Sequence, residues 1–239
     1  MKENRFGLSG NALKGIAVIT MLIDHIGAVI VQRTSVLPQF DMEFWRQIYG
    51  PLRSIGRVAF PIFCFLLVEG FLHTRDVRKY LTRLLIFAVI SEIPFNLAIT
   101  GDVWNRNYQN VYWELAMGFV VIWLIHWMEK KPVSLLGQFI WTALVLALGM
   151  FLAEVLSLDY GFYGVLSIVV IYLCRKDRQG QAVVGALTFW WELPAPAAFL
   201  PIACYNGKRG RGRKYAFYIF YPAHLLILYI IARAIGCPY

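Results

Sequence analysis

Two residues in the first apolar run have the types and spacing to work together. Lys14 and His25 are eleven positions apart, three helical turns with only about 20° left over, so they share a face and are separated by roughly 16 Å. Val18, Met21 and Gln32 lie on that face too. A lysine near one membrane boundary and an imidazole past mid-membrane match a donor shaped like acetyl-CoA, with phosphates at the mouth, a pantetheine arm inward and the thioester at the imidazole. Taken alone, Lys14 also reads as a snorkelling residue at a helix end. His25 is harder to explain as a simple helix–helix hydrogen bond, because Asp24 puts a second ionisable group at the same depth, where charge is costly unless paired or wetted.

Counting the rise per residue along the other apolar runs brings Arg57, Glu92 and His224 near the depth of His25. Glu114 and Asp159 fall at the outer boundary, and Glu192 falls near the middle of a proline-broken stretch. Together these groups predict a polar cavity open to the outer side. A structural account, in which Arg57 pairs with Glu92 or Asp24 to set helix register, stands beside that reading. At the opposite end, Arg75 and Arg78, and the run Asn206-Gly207-Lys208-Arg209-Gly210, are candidates for binding the phosphates of a CoA donor. Both also fit basic loops that obey the positive-inside rule. There is no Walker loop and no nucleophile elbow, and His25, His73, His126 and His224 lack metal-ligand spacing, so no metal is expected.

The elements that must hold these groups are membrane helices. Of the 239 residues, 59% are hydrophobic and 15% charged, a membrane composition rather than a soluble one. The predicted spans are 14–31, 53–73, 80–99, 112–128, 134–153, 160–174 and 215–235. With the proline-broken stretch 182–205 they make an all-α, polytopic integral membrane bundle of about eight to nine segments, treated as a single domain over 1–239. The net charge of +9 sits in short clusters between apolar runs, which argues for contact with anionic lipid and against nucleic acid. Lys2 and Arg5, then Arg75 to Arg83, Lys130–Lys131 and Arg175 to Arg178, alternate with the spans so that the N-terminus is expected in the cytoplasm of a bacterial inner membrane. Lys208, Arg209, Arg211, Arg213 and Lys214 stay on that side if 182–205 is a re-entrant hairpin broken at Leu193-Pro194-Ala195-Pro196, each half being too short to cross. Cys64, Cys174, Cys204 and Cys237 form no Cys-x-x-Cys pair and read as inert thiols.

An ordered set of segments resembles the TraX family, named for the acetylase of conjugative F pilin. The segments are Leu13-Lys14-Gly15-Ile16-Ala17, Thr20 to Gly27 around Asp24-His25, Arg57-Val58-Ala59-Phe60-Pro61-Ile62-Phe63, Glu69-Gly70-Phe71, His73-Thr74-Arg75, Tyr80 to Arg83, and Ser91-Glu92-Ile93-Pro94-Phe95-Asn96. Late in the chain come Asp159-Tyr160-Gly161, Tyr205 to Gly210 and Phe217 to Leu225. The lysine-to-histidine spacing is also similar, more weakly, to membrane acyltransferases of surface polysaccharides, which usually carry arginine first and serine-glycine-phenylalanine where this chain has Glu69-Gly70-Phe71. The resemblance implies N- or O-acetyl transfer from acetyl-CoA, with His25 as base or transient acyl carrier and Asp24, Arg57, Glu92 and His224 around it. The implied acceptor is a pilin-like peptide or a surface glycan. Two other readings use the same residues: a transporter or flippase, against which the lack of an internal repeat counts, and a non-catalytic assembly factor for a surface structure, which leaves the aligned Lys14 and His25 unexplained.

Overall fold

The computed structural model describes residues 7–34, 37, 42–211 and 215–238. Lys2, Arg5, Arg213 and Lys214, on which part of the charge argument rests, lie outside the described residues. Among the described residues the regular structure is all helix, apart from one isolated parallel bridge between Leu8 and Tyr205.

Helix α1, Gly10–His25, starts at Ser9, whose hydroxyl accepts from the Ala12 N–H at 3.2 Å, satisfying one of the donors a helix start leaves open. It continues through π-helical turns at Ile26–Val31 and a last α turn at Gln32–Thr34. The elements after it are α2, Met42–Gly56; α3, Ala59–His73; α4, Val77–Ile99; α5, Val111–Glu129; α6, Leu135–Val155; and α7, Gly161–Leu173. They are followed by α8, Arg178–Thr188; a 3-10 turn, Ala195–Ala198; α9, Phe199–Ala203; and α10, Ala216–Ala234. Polar caps set several of these starts. Asn110 accepts from Tyr112 N–H, Ser134 from Gly137 N–H and Asp76 from Lys79 N–H. That last bond holds the Asp76 carboxyl below the usual carboxylate range.

Among the described residues, six helices are long and apolar enough to cross a membrane: Gly10–Thr34, Glu43–His73, Val77–Ile99, Val111–Glu129, Leu135–Val155 and Ala216–Ala234. This is fewer than the eight or nine segments expected from the apolar runs, for two physical reasons. The run at 160–174 folds as a 13-residue helix, about 20 Å long, short of the roughly 30 Å of hydrocarbon. The run at 182–205 is interrupted at 189–194, and its second half holds only a 3-10 turn and a five-residue helix. The second span, in contrast, is longer than expected at 31 residues. It begins in a polar stretch and turns at Arg57 and Val58, where α2 hands over to α3.

The chain divides into two compact units, one of Met1–Phe63, Ile90–Asn105 and Ala186–Tyr239, the other of Cys64–Val89 and Arg106–Gly185. In the second unit α5 packs against both α6 and α7 at glycines. A side-chain carbon on Gly149 would come within 2.5 Å of Val121, and one on Gly118 within 2.3 Å of Ile168. Small residues at such crossings let membrane helices approach closely enough for extensive van der Waals contact. The outward face of α6, with Leu135, Phe139, Leu144, Leu148, Phe151 and Val155 exposed, is apolar along its whole length, as a lipid-facing helix must be.

In the first unit, α1 lies between α2 and α10. Its contact with α2 is antiparallel: Asp24 meets Gly56, and one turn further on Gly27 meets Leu52. Its contact with α10 is parallel: the Lys14 ammonium lies 5.5 Å from the Phe217 ring centroid, and His25 reaches His224. At one end of this unit the segment after α9 is strapped to the start of α1. Leu8 N–H donates to Cys204 O, Gly10 N–H to Lys208 O and Asn11 N–H to Arg209 O, at 2.8, 2.8 and 2.9 Å. At the other end Arg33 donates to the last carbonyls of α4, Ala98 and Ile99, and to Pro238 O, a cation against the negative end of a helix.

Candidate functional site

The first unit gathers most of the ionisable groups singled out from sequence. His224 is buried on α10, and its Nδ1 lies 2.8 Å from the carbonyl of Phe220 one turn earlier. A carbonyl can only accept, so Nδ1 of His224 carries the proton, and in the neutral ring Nε2 is then an acceptor. That Nε2 is 2.7 Å from Nδ1 of His25. His25 Nδ1–H must donate to it, and Nε2 of His25 is left as the unprotonated nitrogen of the neutral pair. Phe220 stacks on His224 at 4.7 Å and Tyr221 meets His25 edge-on at 6.2 Å, which fixes both ring planes.

Asp24 is not part of that hydrogen-bond line. One residue back along a helix is about 100° around it, so while His25 faces α10, Asp24 faces α2. There Arg53 Nη1 lies 2.5 Å from Asp24 Oδ2. Arg57, at the turn between α2 and α3, pairs with Glu192 at 2.8 Å. Arg57, for which Glu92 or Asp24 was the expected partner, meets Glu192 in this ion pair. A second carboxylate arrives from the proline-broken stretch and Asp24 is taken by a different arginine. Arg53 and Arg57 are nevertheless one helical turn apart, and both stand within electrostatic reach of His25.

Glu92, on α4, accepts from Asn96 Nδ2 at 3.3 Å. Lys14 is positioned as its spacing implied, on the face of α1 that meets α10. Asn206 spends its side chain on local structure: Nδ2 donates to Gly7 O and Oδ1 accepts from Lys208 N–H, at 2.8 and 2.9 Å. Gly207 and Gly210 hold positive φ values of 77° and 75°, open to glycine without a side-chain clash. The side chains of Lys208 and Arg209 remain exposed at the same end of the unit as the start of α1.

The remaining expected residues belong to the second unit. Arg75 and Arg78 are exposed beside the start of α4. Glu114 is fully buried, where Oε2 accepts from Tyr160 N–H at 3.2 Å, and Glu154 Oε1 accepts from Phe162 N–H at 2.8 Å. These carboxylates serve the open donors at the start of α7. Asp159 takes the hydroxyl of Tyr108. Glu114, expected at the outer boundary, acts here as a helix cap. His126 bonds the Tyr172 hydroxyl at 2.8 Å, within a set that includes Glu129 and Arg175. His73 bonds the carbonyl of Glu69.

Arg53 and the role of Glu192 were not anticipated. Arg53 stands four residues before Arg57, the i,i+4 spacing that puts two side chains on one helix face. The apolar run begins at residue 53, which leaves Arg53 at its edge and hides that signal.

Fold and site together define a multi-pass, all-helical membrane protein whose first and last spans are joined by a part-buried histidine pair. Residues 9–232 match the TraX protein family, and the chain belongs to that family. It is 32% identical over 247 residues to the probable fimbrial assembly protein FimC, serogroup H1, of Dichelobacter nodosus, covering 90% of this chain and 92% of that one. It is also 35% identical over 81 residues to the uncharacterized protein RP591 of Rickettsia prowazekii (strain Madrid E), covering 34% of this chain and 25% of the relative. No solved structure matches the chain.

Proposed function

We propose that this protein is an acetyltransferase of the bacterial inner membrane, moving an acetyl group from cytoplasmic acetyl-CoA to an amine or hydroxyl on a membrane or cell-surface acceptor. The observation that carries the proposal is the hydrogen-bond line Phe220 O to His224 to His25, which leaves Nε2 of His25 as a base. In the reaction, Nε2 removes the proton from the acceptor as its N or O attacks the thioester carbonyl. The C–S bond breaks, and the CoA thiolate recovers a proton from the imidazolium. His224 stabilises that imidazolium by accepting from Nδ1–H, as a carboxylate does in a catalytic triad. Lys14, Lys208 and Arg209 supply cationic charge for the donor's phosphates at the end of the unit where α1 and α10 begin. Arg75 and Arg78 add to the basic residues on the expected cytoplasmic side.

The acceptor reading is supported by the family and by the name of the Dichelobacter relative, a probable fimbrial assembly protein. A pilin-like peptide is the first choice and a surface glycan the second. That name equally favours a second reading, in which the chain assists assembly without chemistry and the histidine pair only joins two helices.

The two readings separate in one experiment. The protein in nanodiscs is incubated with acetyl-labelled CoA, and donor binding and deacetylation are followed for wild type, His25→Ala and Lys14→Ala. The enzyme reading expects His25→Ala to lower turnover by about 10²–10⁴-fold with donor affinity retained. It expects Lys14→Ala to weaken donor binding about tenfold, near 1.4 kcal/mol. No binding of CoA at saturating donor would leave the assembly reading alone.

A further inference from the structure

We propose that Arg53 is a positioning residue, and that Asp24 acts with it to set the rotation of α1 instead of exchanging protons with substrate. The proposal rests on the His25–His224 pair being the working centre, and it concerns how that pair is held.

Three observations meet at Asp24. Its Oδ2 is bound by Arg53 Nη1 at 2.5 Å. Its Oδ1 is buried. Gly56, one turn beyond Arg53 on α2, presents bare backbone to it, and a side-chain carbon there would come within 2.1 Å of Asp24 Cβ and 2.3 Å of Oδ1. The Asp24 carboxylate is therefore lodged between a guanidinium and a glycine on one helix. On the next turn Gly27 lies against the same helix, where an added carbon would sit 3.2 Å from Leu52 Cβ and 3.5 Å from Arg53 Cδ. Two successive turns of α1 are thereby fixed to α2 by contacts that tolerate little rotation.

His25 lies between those two contacts in sequence and faces α10. A 2.7 Å hydrogen bond between two rings is short enough that a modest turn of α1 about its axis breaks it. Helical turns alone do not set that rotation, since the backbone widens into π turns immediately after His25, at Ile26–Val31, where the side-chain register departs from the α-helical one. The clamp at Asp24 supplies the missing constraint, an ion pair fixing orientation in an apolar setting. Arg53 suits this task because its planar fork holds a carboxylate in a defined direction, which a lysine ammonium does not.

The test reads the histidine pair directly and needs no acceptor or donor. Protein labelled with ¹⁵N-histidine is examined by imidazole NMR in nanodiscs, with the tautomers of His25 and His224 and the hydrogen-bonded Nδ1 proton of His25 as readouts. Wild type is expected to show His25 and His224 both protonated at Nδ1. Arg53→Gln and Gly56→Ala are both expected to lose the bonded His25 proton and mix the tautomers, while the His126 signal, from the other unit, stays unchanged. Gly56→Ala matters because it shifts Asp24 without changing any charge, so a purely electrostatic role for Arg53 would leave its spectrum like wild type. If Arg53→Gln does not fold, Asp24→Asn, which keeps the side-chain volume, carries the same expectation. Retention of the wild-type tautomers and bonded proton in the folded variants overturns the proposal, whether or not the protein proves to be an acetyltransferase.

Discussion

A neutral histidine in a membrane span keeps a lone pair on one nitrogen only, and here a backbone carbonyl two steps away decides which one. Phe220 O orients His224, and His224 orients His25. Replacing His224 by phenylalanine keeps an aromatic ring to pack against Phe220 and removes the acceptor for His25 Nδ1–H. The expected outcome is a loss of turnover of about 10²-fold with the KM for donor little changed, measured by steady-state acetyl transfer. An equal loss in donor affinity would mean that His224 serves packing alone. The same logic gives a sign to the pH dependence. Protonation of the pair consumes the lone pair on Nε2, so kcat/KM falls toward acid and levels off above the titration. A rate that rises on acidification would exclude His25 as the base.

The helices owe their positions to small residues and end caps more than to the apolar surface itself, since lipid solvates that surface as well as protein does. The crossing of α5 and α6 at Gly149 is the sharpest case, with Val121 only 2.5 Å from where a side-chain carbon would be. Gly149→Leu is expected to force the helices apart at a cost of about 1–3 kcal/mol, read as a lower midpoint of thermal unfolding in nanodiscs. An unchanged midpoint would show that the crossing has slack. The same reasoning explains why α2 and α3 form one 31-residue span. The turn at Arg57 and Val58 is not a loop between helices but a bend, one that aims Arg57 at Glu192.

At the scale of the whole chain, the straps at residues 7–11 and 204–210 bring the start of α1 and the segment before α10 to one end of the first unit, while Arg33 ties residues 98, 99 and 238 at the other. If the basic end is cytoplasmic, as charge asymmetry argues, a membrane-impermeant thiol reagent on intact cells will label Val103→Cys and spare Arg211→Cys, both in a background without the exposed Cys204. Labelling of both from outside would refute the shared-side arrangement. Much of this was legible beforehand, because partition of a contiguous apolar run into lipid is a local property. The runs themselves gave the helices, their order and the common face of Lys14 and His25. They did not give the length of the second span, since α2 starts in polar sequence, nor the short helix at 161–173, since hydropathy does not report where a helix stops. Asp24, His25, Arg57 and His224 stood out because ionisable groups in apolar sequence are conspicuous. Depth along the spans already brought His224 toward His25, but not the bond between rings 199 residues apart, and Arg53 becomes a partner of Asp24 only where Gly56 lets two backbones touch. Which charge meets which, and which nitrogen keeps its lone pair, are decided by contacts of a few ångströms between distant segments, and those exist only once the helices have packed.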